Sequence, residues 1–371
     1  MSFFREYSQV SKLLKQKQQV VVYAESRHYY QYYEKIISDL LENDISVCYL
    51  TSDNSDPVLK EIKKNFTCIH VKWMLGFLFS KIMADVLIMT MTDLGNYLYK
   101  RSGDVGCYVY MFHAAVSTHQ QYNKNAFRNY DAVFCIGEFQ EKEFRMVEKL
   151  FSFREKELIA YGYPLIDTIR QKSNTGAETR TDKLNVLVAP SWFDGCIFET
   201  CIDELLKQLS VLPYNIILRS HPEYEKRKAR NFRKINKQVE EYANITLDTI
   251  PDVMKRLQAT DILITDRSGI AFEYAFGTGR PVLFLETELK INNPDYLKIG
   301  IVPVENSIRN QIGLLLSPSD LDQLGHKINE LINSASEFNL RIAKLGNELF
   351  YNSEASYKRG LDYIKTKINR D

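Results

Sequence analysis

The chain contains no Walker phosphate loop, no GxGxxG turn and no HExxH helix. Neither a kinase nor a metal-dependent GT-A transferase is indicated, and a site without metal or other cofactor is the expectation. A dominant charge is missing too. Lys plus Arg number 48 against 47 Asp plus Glu, so no global field draws the molecule to nucleic acid or another polyanion, and any attraction to phosphate must be local. The six cysteines, at 48, 68, 107, 135, 196 and 201, include no CxxC pair and four lie in apolar runs. A reduced cytoplasmic chain without disulfides or zinc is expected. Residues 1–20 lack the apolar core and small-residue cleavage pattern of a signal peptide. The most apolar stretch, 73–91, is broken by Lys81 and Asp85, which reads as a buried helix followed by a strand and not as a membrane span.

What is present is alternation. A length of 371 residues suits two α/β domains, each with its own core. Gln19 to Tyr23, a helix-period stretch from Tyr29 to Leu41, and Ser46 to Leu50 make a βαβ unit. Further strands are expected at 86–91, 107–112, 132–136 and 158–161. Between Gln171 and Lys183 the composition turns polar, which predicts a solvated linker. The series restarts with 186–189, 215–219, 245–247, 261–265 and 281–285. The expected architecture is therefore two doubly wound Rossmann-like domains, 1–170 and 184–345, facing a cleft, with a helical segment over 346–371. Ala84–Thr90 and Thr260–Asp266 echo one another, each an acidic residue opening an apolar strand that ends in a polar turn.

In such folds ligands collect at the carboxyl ends of the strands, so residues that follow strands are the candidates. His113, after 107–112, is placed to act as a general base, with His119 just beyond; the competing reading is a hydrogen-bonded histidine closing the strand. Arg219 and His221 follow the next-to-restart strand and could reach a phosphate. The strongest local signal is the turn Asp266-Arg267-Ser268-Gly269 between an apolar strand and a helix. Backbone amides at a helix start bind phosphate, though a serine there also caps helices without any ligand. Glu273, one turn on, could accept from a ribose or face solvent. Pro190 and Ser191 end the first strand of the second half, in a loop suited to a close ligand approach. Lys226 to Lys237 is a basic segment, read either as a solvated helix face or as an anion-attracting surface.

In order, these residues resemble the CDP-glycerol glycerophosphotransferases that build teichoic-acid and capsule-type polymers. His113-Ala114 stands at that family's His-Gly, Tyr161-Gly162-Tyr163-Pro164-Leu165-Ile166-Asp167 at its Gly-Tyr-Pro-Arg-x-Asp, and Ala189-Pro190-Ser191-Trp192 at its Ala-Pro-Thr-Trp. Arg219-Ser220-His221-Pro222 resembles Arg-Pro-His-Pro, Thr265-Asp266-Arg267-Ser268-Gly269 resembles Thr-Asp-Tyr-Ser-Ser, and Asn352 to Ser356 resembles a closing Gly-x-Ala-Ser. The resemblance covers about residues 105 to 357 and implies a GT-B fold, transfer of glycerol phosphate from a CDP-activated donor to a hydroxyl of a polymer or lipid-linked acceptor, and release of CMP. It implies His113 as base, with Arg219, His221, Ser268 and the Gly269 amide on the donor diphosphate. Ala114, Leu165, Arg267 and Gly269 depart from the pattern, which leaves CDP-ribitol, another CDP-alditol or a nucleotide sugar as alternative donors. The other readings are a GT-B glycosyltransferase and a non-catalytic polymer-binding homologue. Glu25, Arg27 and His28, after the first strand, are the acceptor-side candidates together with His119, and the inner membrane face is a second place for the protein.

Overall fold

Runs such as Val20-Val21-Val22 and Ile262-Leu263-Ile264 are apolar at successive positions, so both faces must be covered, which parallel strands flanked by helices provide. The computed structural model describes residues 3–368 except 93, 176–182, 249, 251 and 354. A first sheet contains β1 (Gln18–Ala24), β2 (Val47–Thr51), β3 (Phe66–His70), β4 (Ala84–Met89), β5 (Val105–Met111), β6 (Ala132–Cys135) and β7 (Glu157–Ala160), in the order 3-2-1-4-5-6-7. A second contains β8 (Asn185–Val188), β9 (Asn215–Leu218), β10 (Ile245–Leu247), β11 (Ile262–Thr265), β12 (Val282–Leu285) and β13 (Gly313–Leu316), in the order 10-9-8-11-12-13. Neighbouring strands pair in parallel throughout both sheets.

The strand order reverses beside β1 in one sheet and beside β8 in the other, and each reversal opens a crevice at the strand ends. β4 and β11 occupy equivalent places in the two orders, and these are the strands that echo one another in sequence. The helix Pro164–Thr175 leaves the first half and packs along the helix Ile270–Thr278 of the second. Gly277 allows that approach: a Cβ there would lie 2.6 Å from Ile169 Cγ2. The expected linker is corrected in part, because 171–175 is the end of this helix; 176–182 lie outside the described residues.

The helix Ala335–Leu349 remains with the second sheet, after which the chain returns to the first. The Tyr351 amide donates to Ile136 O at 2.9 Å, and the helix Ser356–Ile368 buries Leu361 and Ile364 in the cluster that holds Val20, Ile36 and Cys107. Residues 73–91 form the helix Leu75–Lys81 and β4. Among the described residues no helix is long and apolar enough to cross a membrane.

Candidate active site

The site is built from loops that follow neighbouring strands of both sheets. After β11 the chain turns through Asp266, and the helix Ile270–Thr278 begins with Gly269 at its N-cap. Gly269 has no side chain with which to cap, so the helix start is not closed by its own N-cap residue. None of the described residues accepts from the amides of Ser268, Gly269 and Ile270. A row of free amides with the positive end of the helix behind it is an anion site. Gly269 faces the first half: a Cβ there would lie 3.4 Å from the Ala114 Cβ, next to His113.

After β9, Arg219 donates to the buried carboxylate of Asp248 and, at 2.8 Å, to Ile250 O. Arg256 holds the other oxygen of Asp248 at 2.8 Å. His221 is the N-cap of the helix Pro222–Arg227, its Nδ1 accepting from the Glu223 amide at 3.1 Å. That bond fixes the tautomer with Nε2 as donor. Burial, reinforced by the ammonium of Lys290, pulls the His221 pKa down to about 4. His221, a candidate for the catalytic pair with His113 and for the donor diphosphate, is thus a neutral hydrogen-bond donor at pH 7, able to hold an oxygen.

His113 follows β5. Tyr29 and Tyr32 contact its ring edge to face, at centroid distances of 5.3 and 6.1 Å, and its Nδ1 has no hydrogen-bond partner. Burial draws its pKa down to about 4, with the Thr90 backbone opposing and Lys290 adding to the fall. The charge of a protonated His113 bears on His221 and would lower its pKa further. An imidazole that is unprotonated, with one nitrogen free of a partner, can accept a proton.

A narrow pocket joins the two halves, lined by Val116, Gln120 and Gln121 from one side and by the turn 266–269, Lys290 and Glu305 from the other. Lys290, which the sequence reading missed, follows β12 in a loop tied to the first half through Asn292 N to Gln120 O at 3.0 Å and Asn293 Nδ2 to His119 O at 2.9 Å. Its ammonium lies 4.9 Å from the Trp192 ring centre. Trp192 in turn lies 6.1 Å from the His221 ring. Nothing in the sequence around Lys290 marked it, because its place depends on how the loop docks.

Three expected residues are placed differently. Asp266 is 1 % exposed, and its carboxylate accepts from the amides of Ser191 at 2.8 Å, Ile197 at 3.0 Å and Arg267 at 2.6 Å; it organises the loops. Glu273 does not face solvent. It is 6 % exposed, accepts from Tyr163 Oη at 2.8 Å and is pushed up to about 7 by burial. His119 is 1 % exposed, with Nδ1 3.2 Å from Glu143 and Nε2 2.9 Å from Ile301 O. Burial would lower its pKa, but Glu143 outweighs burial and raises it, and with both nitrogens engaged it serves the packing of the two halves. Glu25, Arg27 and His28 are exposed at the end of β1; Arg27 pairs with Asp53 at 3.8 Å, and the charges of Arg27 and Arg219 both bear on His28, putting it at the rim. Pro190 is buried, and Ser191 keeps a buried hydroxyl without a partner. Arg267 lines the cavity and donates to Thr287 O at 3.0 Å. Among the described residues no group of three or more His, Cys, Asp or Glu is arranged to hold a metal.

A family model described as CDP-glycerol:poly(glycerophosphate) glycerophosphotransferase matches residues 7–295. The chain belongs to that family. It is accordingly a glycerophosphotransferase, an enzyme that takes its unit from CDP-glycerol and delivers it to a polymer acceptor. The match begins at residue 7, well before the first recognisable motif near residue 105, so the first sheet belongs to the family as well. No curated protein matches the chain. Among solved structures, the wall teichoic acid polymerase TagF is similar with a TM-score of 0.60 at 16 % identity, covering 98 % of this chain and 97 % of that one. A putative UDP-N-acetylglucosamine 2-epimerase from Listeria monocytogenes has a TM-score of 0.59 at 15 % identity, with coverages of 96 % and 98 %. A sucrose-phosphate synthase from Thermosynechococcus elongatus has 0.55 at 15 %, with 94 % and 99 %. These likenesses show the fold: the glycerophosphotransferase has the GT-B architecture.

Proposed function

We propose that the cleft joins an acceptor side, residues 1–170, to a donor side, residues 184–345, and that His113 is the general base of the transfer. The acceptor hydroxyl gives its proton to His113 Nε2 or Nδ1, and its oxygen forms a bond to the donor's β-phosphorus. The bond from that phosphorus to the bridging oxygen breaks, and CMP leaves with the electron pair. The amides of Ser268, Gly269 and Ile270, the Ser268 hydroxyl and His221 Nε2–H hold the diphosphate oxygens, and their worth increases as charge develops there. Arg219, already paired with Asp248, adds field at the same loop. The observation that carries this reading is the approach of Gly269 to Ala114, which brings an open helix start up against the base.

The donor is read as CDP-glycerol; a TagF structure has been soaked with CDPG. Thermal-shift measurements with CDP-glycerol, CDP-ribitol, UDP-sugars and CMP-sialic acid separate this donor from the alternatives, and stabilisation by a UDP-sugar alone would favour a glycosyltransferase. His113→Ala is expected to leave donor binding within about twofold and to lower kcat by roughly 100-fold or more. Unchanged turnover would remove the base assignment.

A cytoplasmic protein resting on the inner membrane face fits one further surface. The helix Phe3–Leu13 is tied through Glu6 Oε1 to the amides of Lys72 at 2.9 Å and Met74 at 2.7 Å. Around that junction Phe4, Trp73, Phe77 and Tyr97 are exposed, Trp73 by 69 %, and Lys72 and Lys100 lie over the rings of Trp73 and Tyr97. Exposed aromatic rings interleaved with lysines suit an anionic lipid interface, where a lipid-linked acceptor would be met.

A further inference from the structure

We infer that the ammonium of Lys290 holds the bridging and α-phosphate oxygens of the bound donor and takes up the charge that CMP acquires as it leaves. The inference rests on the reading of the cleft as the donor site. Lys290 lines the same cavity as Ser268 and Gly269, and its charge is felt by His113, His221 and Asp266 alike, so it stands among the groups that would surround the diphosphate.

The other cations nearby are each held by protein groups, although Arg267 and Arg309 keep a buried Nε without a partner. Arg219 and Arg256 share Asp248, Arg267 donates to Thr287 O, and Arg309 donates to Asp266 O at 3.1 Å while lying 4.5 Å over the Phe284 ring. Lys290 forms no ion pair with a described carboxylate; Asp266 and Glu305 act on it only at longer range. The face of Trp192 accounts for where its stem runs but provides none of the three acceptors that an ammonium seeks. Half-burial without an anionic partner is costly for a lysine, and an incoming anion relieves that cost.

The loop is set before any ligand arrives: Gln121 Nε2 donates to Lys290 O at 3.4 Å, and the Asn292 amide donates to Gln120 O. Transfer of the β-phosphorus to the acceptor oxygen turns a bridging oxygen into a terminal oxygen of CMP. One negative charge is thereby gathered on the leaving group. A fixed ammonium in a poorly solvated cleft interacts with that charge more strongly than with the donor in its ground state.

The test uses the full chain with Lys290→Met, which keeps the stem against Trp192, and Lys290→Arg, which keeps the charge. Expected for Lys290→Met is a fall of roughly 100-fold in kcat with CDP-glycerol, a weakening of CDP binding of about tenfold by calorimetry and an unaltered affinity for cytidine; Lys290→Arg should recover part of both losses. Wild-type kcat and CDP affinity in Lys290→Met would overturn the role, as would a shift of the pH profile alone, which would make Lys290 only a charge that tunes the histidines. If instead the wild-type chain fails to bind CDP and His221→Ala changes nothing, the donor site itself is misplaced, an outcome separate from the failure of Lys290.

Discussion

At the scale of single residues, the two cleft histidines share one electrostatic problem: burial and a common ammonium keep both neutral. A general base must be unprotonated, and His113, held near 4 in the free enzyme, is lost as a base only when pH falls through that value. The acid limb of kcat/KM is therefore expected well below the ordinary imidazole range, and it belongs to His113 and His221 jointly because they interact. In kcat the limb should lie higher, because the donor's phosphates offset the field of Lys290. A pH–rate profile measures both, and an acid limb near 6.5 in kcat/KM would contradict the burial of these rings. Two departures from the family pattern also become one at this scale. Ala114 stands where a glycine is usual and Gly269 where a serine is, and the two positions touch, so the bulk missing from one side is supplied by the other. Sequence reading could find His113 and Ser268 because both follow apolar strands at polar turns. It could not find Lys290, whose loop takes its place from hydrogen bonds to Gln120 and Gln121 far away in the chain.

At the scale of elements, the helix Ile270–Thr278 has two different ends to its work. Its start is open toward the cleft, while Glu273 within it is sealed against Tyr163 at the head of the helix Pro164–Thr175. Its carboxyl pKa is raised from 4.5 to about 7, so the folded state binds the proton more tightly than the unfolded chain does. This contribution to stability is full below about 4.5 and is lost as pH rises through about 7. Glu273→Gln keeps an acceptor for Tyr163 and removes the titration. Denaturant melts should show the variant gaining on the wild type between pH 5 and pH 8 by up to about 3 kcal/mol, from 1.36 kcal/mol per unit; a constant difference across that range would refute the sealed carboxyl. Most strands were legible because their apolar runs are uninterrupted. β3, with Thr67 and Cys68 at its middle on the sheet edge, and β13, a short Gly-Leu-Leu-Leu, carry too little pattern to stand out, and the pairing of Glu273 with Tyr163 was not legible because that partner comes from the other half.

At the scale of the whole molecule, a net charge of +1 means that any hold on a membrane must be local. Sedimentation with vesicles containing an anionic phospholipid is expected to carry the protein down at low salt and less so at 0.5 M salt, and Trp73→Ala with Phe77→Ala should weaken the association by roughly tenfold. Equal binding to neutral vesicles, or none to either, would remove the patch around Trp73 from the account. The two-sheet plan could be read from alternation alone, but the strand orders and their switch points could not. The docking of the halves could not, since it depends on Gly277 against Ile169 and on the loops about Gln120 and Asn293.

The return of the chain to lay Ser356–Ile368 upon the first sheet has a mechanical consequence. Two separate stretches of backbone now bridge the halves, so the gap behaves like a book bound at its spine and not like two beads on a string. Sliding or spinning one half past the other would drag Ile364 out of its pocket, so the clasp resists that displacement.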